Sequence, residues 1–412
     1  MKIEIDAPRL VSEIEALASI SDAEAPAVTR IVFTPTDLKA RAWLRARCEE
    51  GGLSLRQDAI GNTFARWTGS NPKLPAVGTG SHIDAIPNAG KYDGVVGVLG
   101  GLEAIRALQR SRFRPRHSLE LLVFTSEEPT RFGIGCLGSR MLSGTLSPEA
   151  ARQLKDSKGV PLDQVRKSAG LRGELESVKL PASCYKTFVE LHIEQGPLLE
   201  RKKIPLGVVT SIAAPASLRV SIEGSGGHAG GVLMPDRRDA LCAAAELCLA
   251  IENAARSSGA IDTVATVGIC QVFPGAVNSI PSRVCLSVDI RDTDLKRRNG
   301  VMQETERAAH AIAVKRNVLI QVALVNADAP ADCAPEVIEA LSASCRKHNL
   351  TFLPIVSRAY HDSLFMSRIA PTAMLFIPCR NGYSHRPDEY ASPEDIARGT
   401  LVLAETLAAL SR

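Results

Sequence analysis

Eight histidines are spread over 412 residues, and three of them sit beside acids in short polar segments that follow apolar runs. GSHID carries His82 and Asp84, LHIEQG carries His192, and GYSHRPDEY carries His385. KYDG adds Asp93, and TSEEPTRFG adds Glu127 and Glu128. Imidazole nitrogens and carboxylate oxygens held about 2.0 to 2.2 Å from an ion are what a divalent metal centre requires. Taken singly, a His beside a strand is more often a hydrogen-bonded core or surface residue, and paired Glu residues are more often a solvated edge. Glu127 and Glu128 resist that reading because they follow LLVF, where the chain leaves a buried sheet.

Such ligands need rigid elements to hold them. LPAVGTGSHID, SLELLVFTSEE and TFVELHIEQG read as strands, each ending in residues able to ligate. DGVVGVLGGLEAIRALQRS has small and apolar residues at three- and four-residue intervals, which predicts a helix starting near Asp93. Residues 10–20 and 36–50 carry the same spacing. Alternation of strand and helix predicts an α/β domain with a largely parallel sheet, whose strand carboxyl ends converge on one crevice. Residues 146–185 are polar and weakly periodic and read as a helix-rich connection. From about Ile212 the pattern changes. SLRVSIEGSGG, an Ala-rich helix over 239–256, TVATVGICQVF, RVCLSVDIRD and a helix over 295–315 form two strand, helix and strand units, the pattern of a small inserted α+β domain. SPEDIARGTLVLAETLAAL then predicts a closing helix with a Ser-Pro start. The expected organisation is a catalytic domain built from 1–212 and 330–412, with an insert over 213–329.

Composition narrows the function classes. Hydrophobic residues make up 45% and charged residues 23%, with a net charge of only +4, so neither disorder nor a nucleic-acid or membrane-surface partner is expected. The opening MKIEIDAPRL lacks the basic head and apolar run of a signal peptide, and no stretch approaches the ~20 apolar residues that span a bilayer. A cytoplasmic protein is expected. Ten cysteines occur without CxxC spacing, which reads as reduced, mostly buried thiols. Nothing resembles a P-loop, a dinucleotide fingerprint or a GxSxG elbow.

GSHIDAIPNAGKYDGVVGVLGG, FTSEEPTRFGIGCLGSR, ELHIEQGP, GGHAG, AVNSIP, SRAYHDSLFMSRI and GYSHRPDEY together resemble the hydantoinase/carbamoylase amidases, relatives of the aminoacylases and di-metal carboxypeptidases. The resemblance runs in unbroken order from about Asn62 to Ser411. It implies a phosphorylase/hydrolase-like mixed-sheet catalytic domain interrupted by a ferredoxin-like domain that serves as lid and homodimer surface. It further implies two divalent ions per subunit. Asp93 bridges them, His82 and His192 complete one coordination sphere, and Glu128 and His385 complete the other. Asp84 is similar to the carboxylate that orients a ligand imidazole, and Glu127, left without a metal, suits a general base. Manganese is the ion the resemblance implies, whereas the donor set alone accepts zinc, manganese, cobalt or nickel.

The implied substrate is a small ureido acid. Within the family, EEPTRFG, HAGGVLMPDRRDA, SRAYHDSLFM and FIPCRNGYSHRPDEY resemble a subgroup acting on (S)-ureidoglycolate, with N-carbamoyl-L-amino acids, N-carbamoyl-β-alanine and allantoate as alternatives. A carboxylate calls for a fork-shaped cation, and Arg291 at the end of CLSVDIR is the candidate, although a surface Arg fits the local sequence equally well. The resemblance adds Asn278, Gln195 and His361 as substrate contacts, the last also readable as a loop His bonded to Asp362. His228, in a glycine-rich turn, is implied to stabilise the oxyanion. Tyr383 replaces a more usual aliphatic residue and could touch a hydroxylated carbon. Arg237 and Arg238 read as salt-bridging residues at a helix start. A metal-free binding or scaffold relative is the alternative of a different class, and the filled ligand positions argue against it.

Overall fold

The computed structural model describes residues 2–412 and divides them into two compact units. One runs to Thr210 and resumes with Asp332–Ser357 and His361–Arg412, and the other comprises Ser211–Ala331 and Arg358–Tyr360.

In the first unit, four strands run parallel within a mixed sheet, in the order Thr372–Ile377, Tyr185–Ile193, Ala76–His82 and Leu119–Phe124. Every residue of Ala76–His82 and Leu119–Phe124 is buried, which explains why they read as continuous runs without alternation. Thr63–Trp67 and Ser54–Gln57 extend the sheet by antiparallel pairing; these short strands were not among the sequence expectations. The helix Val95–Arg110 starts two residues after Asp93 and packs against the strands and against the closing helix Pro393–Leu410. A Cβ on Gly97 would lie 2.4 Å from the carbonyl oxygen of Leu191, so glycine lets this helix backbone rest directly on a strand. Ser392 caps the closing helix at Asp395 N–H with Pro393 in its first turn, as its sequence signature requires.

The stretch 146–185 contains the short helices Pro148–Gln153 and Leu162–Ser168, whose Ala151, Leu162 and Val165 join a core with Phe64, Phe124, Leu137 and Phe188. Truncating a large member of that cluster to Ala costs about 2–5 kcal/mol. Parallel direction brings the four carboxyl ends to one edge of the sheet. Register pairs His82 with Phe124 and His192 with Phe376, so His82, the Glu127–Glu128 turn, His192 and the loop after Ile377 leave the sheet together.

The second unit is a four-stranded antiparallel sheet in the order Val264–Phe273, Arg283–Asp292, Ala214–Glu223, Leu319–Ala327. With helices Ala240–Arg256 and Leu295–Arg316, the chain order is βαββαβ, the split-βαβ arrangement of ferredoxin-like folds. Leu218, Val220, Leu286, Val288 and Ile290 alternate toward a core closed by Leu247, Ile251 and Val301. All ten thiols are free, and Cys242 and Cys270 are exposed rather than buried. No helix among the described residues is long and apolar enough to cross a membrane.

Candidate metal centre

His82 ends its strand fully inside the fold, and its Nδ1 lies 3.0 Å from the carbonyl oxygen of Asp84. His192 places Nδ1 2.9 Å from its neighbour's carbonyl, that of Ile193. A carbonyl only accepts, so each Nδ1 carries the proton and each Nε2 keeps a lone pair in the neutral ring. Both lone pairs face the same atom. Nε2 of His82 is 3.5 Å and Nε2 of His192 is 3.1 Å from Asp93 Oδ1. The other oxygen, Oδ2, is 3.3 Å from Nε2 of His385, which is itself 3.1 Å from Glu128 Oε1. Asp93 thus turns one oxygen to each of two donor sets, His82–Asp93–His192 and Asp93–Glu128–His385, each with ligand atoms within 4.8 Å of one another.

These sets fit divalent ions. They combine nitrogen and oxygen donors of the kind zinc, manganese, cobalt and nickel accept. The buried carboxylates of Asp93 and Glu128 pair with imidazoles rather than with Lys or Arg, so cations would balance charge that the side chains leave. Gly94 keeps the space open: its φ is +66° and a Cβ there would lie 2.5 Å from His82 Nε2. A third set, Glu190–His192–His361, draws on the same His192 as the first. Both Glu190 oxygens are taken, one by Ser81 Oγ at 2.7 Å and the other by Ser363 N–H and Oγ at 3.1 and 2.6 Å.

Glu127 belongs to none of these sets. Its Oε2 lies 3.7 Å from His82 Nε2, and its Oε1 accepts the Cys136 thiol at 3.4 Å. Burial holds its carboxyl well above the ordinary range, with His82 opposing and the charge of Glu128 adding to the rise. The turn that aims Glu127 and Glu128 is built by Asp84, whose two carboxylate oxygens accept their backbone N–H groups at 3.2 and 3.1 Å. The sequence expectation gave that carboxylate to the His82 ring. The structure gives the ring to the Asp84 carbonyl, with the carboxylate 3.7 Å away and engaged by the two amides.

Backbone strain collects here. Ser126, Cys136, Gln195 and His385 all adopt left-handed φ between 53° and 59°, a conformation that non-glycine residues hold only when neighbours impose it. Gln195 donates to Asp93 Oδ2 at 2.7 Å and to Ser384 Oγ at 3.2 Å, while its Oε1 is buried without a partner. His361 is buried with its ring centroid 4.5 Å from that of His192 and Nε2 3.1 Å from Ser357 Oγ. Asp362 instead bonds Ser139, and burial pushes its carboxyl up to about 8. Tyr383 has the Arg386 guanidinium 3.8 Å from its ring centre.

Sequence reasoning missed Glu389. It is buried, accepts Tyr92 N–H and Asp93 N–H at 2.8 and 3.1 Å, and takes Ser384 Oγ at 3.1 Å, so it fixes the backbone of the shared carboxylate. The available signal was an acid four residues after His385 in a segment already singled out.

The second unit holds His228, Asn278 and Arg291. Gly227–His228 pairs with Ser279–Ile280, which brings the His228 and Asn278 segments together. Arg291 sits on its sheet with Nε 2.6 Å from Asp289 Oδ1 and its guanidinium 5.8 Å from the Tyr360 ring.

Comparison with known proteins adds the following. Residues 78–409 match the family described as Peptidase family M20/M25/M40. A ureidoglycolate hydrolase of Oryza sativa subsp. japonica is 54% identical over 99% of this chain and 85% of its own. The crystal structure of AtUAH in complex with (S)-hydroxyglycine superposes with a TM-score of 0.93 at 52% identity, covering 99% of this chain and 98% of that one. An amidase of the hydantoinase/carbamoylase family from Burkholderia vietnamiensis has a TM-score of 0.92 at 30% identity, covering 100% and 98%.

Proposed function

The chain belongs to peptidase family M20/M25/M40, and from that premise we propose that it hydrolyses (S)-ureidoglycolate to glyoxylate, ammonia and carbon dioxide. As a member of this family it is a metal-dependent hydrolase of amide C–N bonds. The observation that carries the reading is the division of Asp93, one oxygen toward His82 and His192 and the other toward His385.

His82, Asp93 and His192 would hold one ion, and Asp93, Glu128 and His385 the second, with manganese the proposed metal. Bound there, a pair of ions polarises a carbonyl and lowers the pKa of water toward ~7. Glu127 takes the proton of the attacking water and returns it to the terminal ureido nitrogen as that C–N bond breaks. Ammonia leaves, the remaining carbamate loses carbon dioxide, and the (S)-hydroxyglycine so formed expels a second ammonia to give glyoxylate. This reaction would complete nitrogen recovery from the purine ring.

Gln195 Oε1, the buried acceptor without a partner, is assigned to a ureido N–H. Arg291 is assigned to the substrate carboxylate, His228 to the carbonyl oxygen as negative charge develops, and Asn278, His361 and Tyr383 to further contacts. The proposal includes a cytoplasmic homodimer in which residues 213–329 act as lid and dimer surface and 1–212 with 330–412 as the catalytic domain.

The test is ammonia release by the manganese-loaded chain from (S)-ureidoglycolate, an N-carbamoyl-L-amino acid, N-carbamoyl-β-alanine and allantoate. The highest kcat/KM is expected on (S)-ureidoglycolate. A preference for a carbamoyl amino acid overturns the substrate assignment.

A further inference from the structure

We infer that Arg237 is a positioning residue that, together with the Gly230 N–H, fixes His228 in the tautomer protonated on Nε2. The inference rests on the reading of His228 as a donor to the substrate oxygen and explains how a residue on an exposed turn can serve as one.

After His228 the chain folds back on itself. Gly231 N–H and Val232 N–H donate to the His228 carbonyl at 3.0 and 3.3 Å, and Ala229 N–H donates to the Asn278 carbonyl at 2.8 Å. These bonds leave the carbonyls of Ala229 and Val232 to be satisfied. Arg237 takes both: Nε donates to Val232 O at 3.1 Å and Nη2 donates to Ala229 O. A planar fork can hold two carbonyls in one geometry, whereas the point charge of lysine on a flexible stem cannot.

Inside the clamped turn, Gly230 N–H donates to His228 Nδ1 at 3.1 Å. A ring nitrogen that accepts carries no proton, so the neutral imidazole keeps its proton on Nε2. The ring therefore offers a donor at its far edge. Bulk is not why glycine stands at 230: a Cβ would lie 3.6 Å from His228 Cε1, an ordinary contact, and φ there is not left-handed. The requirement is the backbone N–H in this position, and alanine supplies it equally.

The experiment uses the zinc-loaded full chain with ring-15N histidine, at about pH 8, above the ordinary imidazole pKa of ~6.5. His228→Gln identifies the His228 signals by their loss. The expected pattern is an unprotonated Nδ1 and a protonated Nε2, retained in Gly230→Ala. Arg237→Met should shift both nitrogens toward the averaged values of free imidazole. It should also lower kcat about tenfold, the equivalent of one weakened hydrogen bond, with KM within about twofold. Arg237→Lys should recover only part of kcat. A protonated Nδ1 in the unmodified chain, or an Arg237→Met variant with unchanged nitrogens and kcat, overturns the inference. If the nitrogens behave as expected while His228→Gln keeps full turnover, the tautomer stands and the catalytic assignment of His228 falls.

Discussion

In the first unit His82 and His192 lie buried with Nδ1 against a backbone carbonyl; in the second, His228 lies exposed with Nδ1 against a backbone N–H. The side chain is the same, and the backbone partner decides what its other nitrogen offers. A carbonyl leaves a lone pair on Nε2, suited to a cation, and an amide leaves a proton there, suited to an oxygen. Burial separates the two regions as well. Around Asp93 a low-dielectric interior couples acids and imidazoles strongly, while the His228 turn relies on local geometry, because exposed electrostatics are screened.

The largest test of that contrast is Glu127→Gln. Loss of a positioned base costs about 10²–10⁴-fold in kcat, while metal content and Tm should hold, since Glu127 lies outside both donor sets. Full activity in this variant removes the base assignment. With Glu127 intact, kcat/KM should fall on acidification as this carboxylate takes up a proton, because a protonated carboxyl cannot accept one from water.

Metal removal comes next. In the metal-free chain, bonds to Asp93 and Glu128 hold His385 up to about 11. Burial works to lower His82 and His192, but Glu127 and Asp93 outweigh it for His82, and Asp93 outweighs it for His192. Raised imidazoles stabilise the fold fully below the unfolded pKa of ~6.5, and that contribution is lost as pH climbs toward the folded values. The Tm of the metal-free chain should therefore decline above about pH 6.5. Added manganese displaces those protons, so its rise in Tm should grow with pH. A metal effect on Tm that shrinks over this range contradicts the proton-for-cation exchange.

A smaller effect is expected at Glu389, which acts through the Asp93 backbone. Glu389→Gln should weaken metal affinity roughly ten- to hundredfold with kcat at saturating metal largely kept. Equal affinity in the two proteins, by titration against a competing chelator, would sink its assigned part.

The sequence made the strand ends legible because parallel strands buried on both faces read as mostly apolar runs without alternation, and LELLVF ends three residues before Glu127 while VELHI carries His192 next to its last residue. The βαββαβ insert was legible from its alternating strands. What stayed hidden was the reach of acids across the chain. Asp84 bonds amides 43 and 44 residues away, Glu190 bonds Ser363 at a separation of 173, and Glu389 bonds Asp93 at 296. Local spacing carries no information about such partners. Glu190 did carry a signal, since an acid inside the strand TFVELHI must find donors. Arg237 read as a helix-start residue because its partners are carbonyls, which every residue has.

The central claim is that Asp93 is shared between two cations. Anomalous diffraction at the manganese edge from manganese-loaded crystals tests it directly. Two peaks about 3.5–4 Å apart are predicted, one against His82 and His192, the other against Glu128 and His385, with Asp93 touching both. A single peak, or two that do not share Asp93, would contradict it.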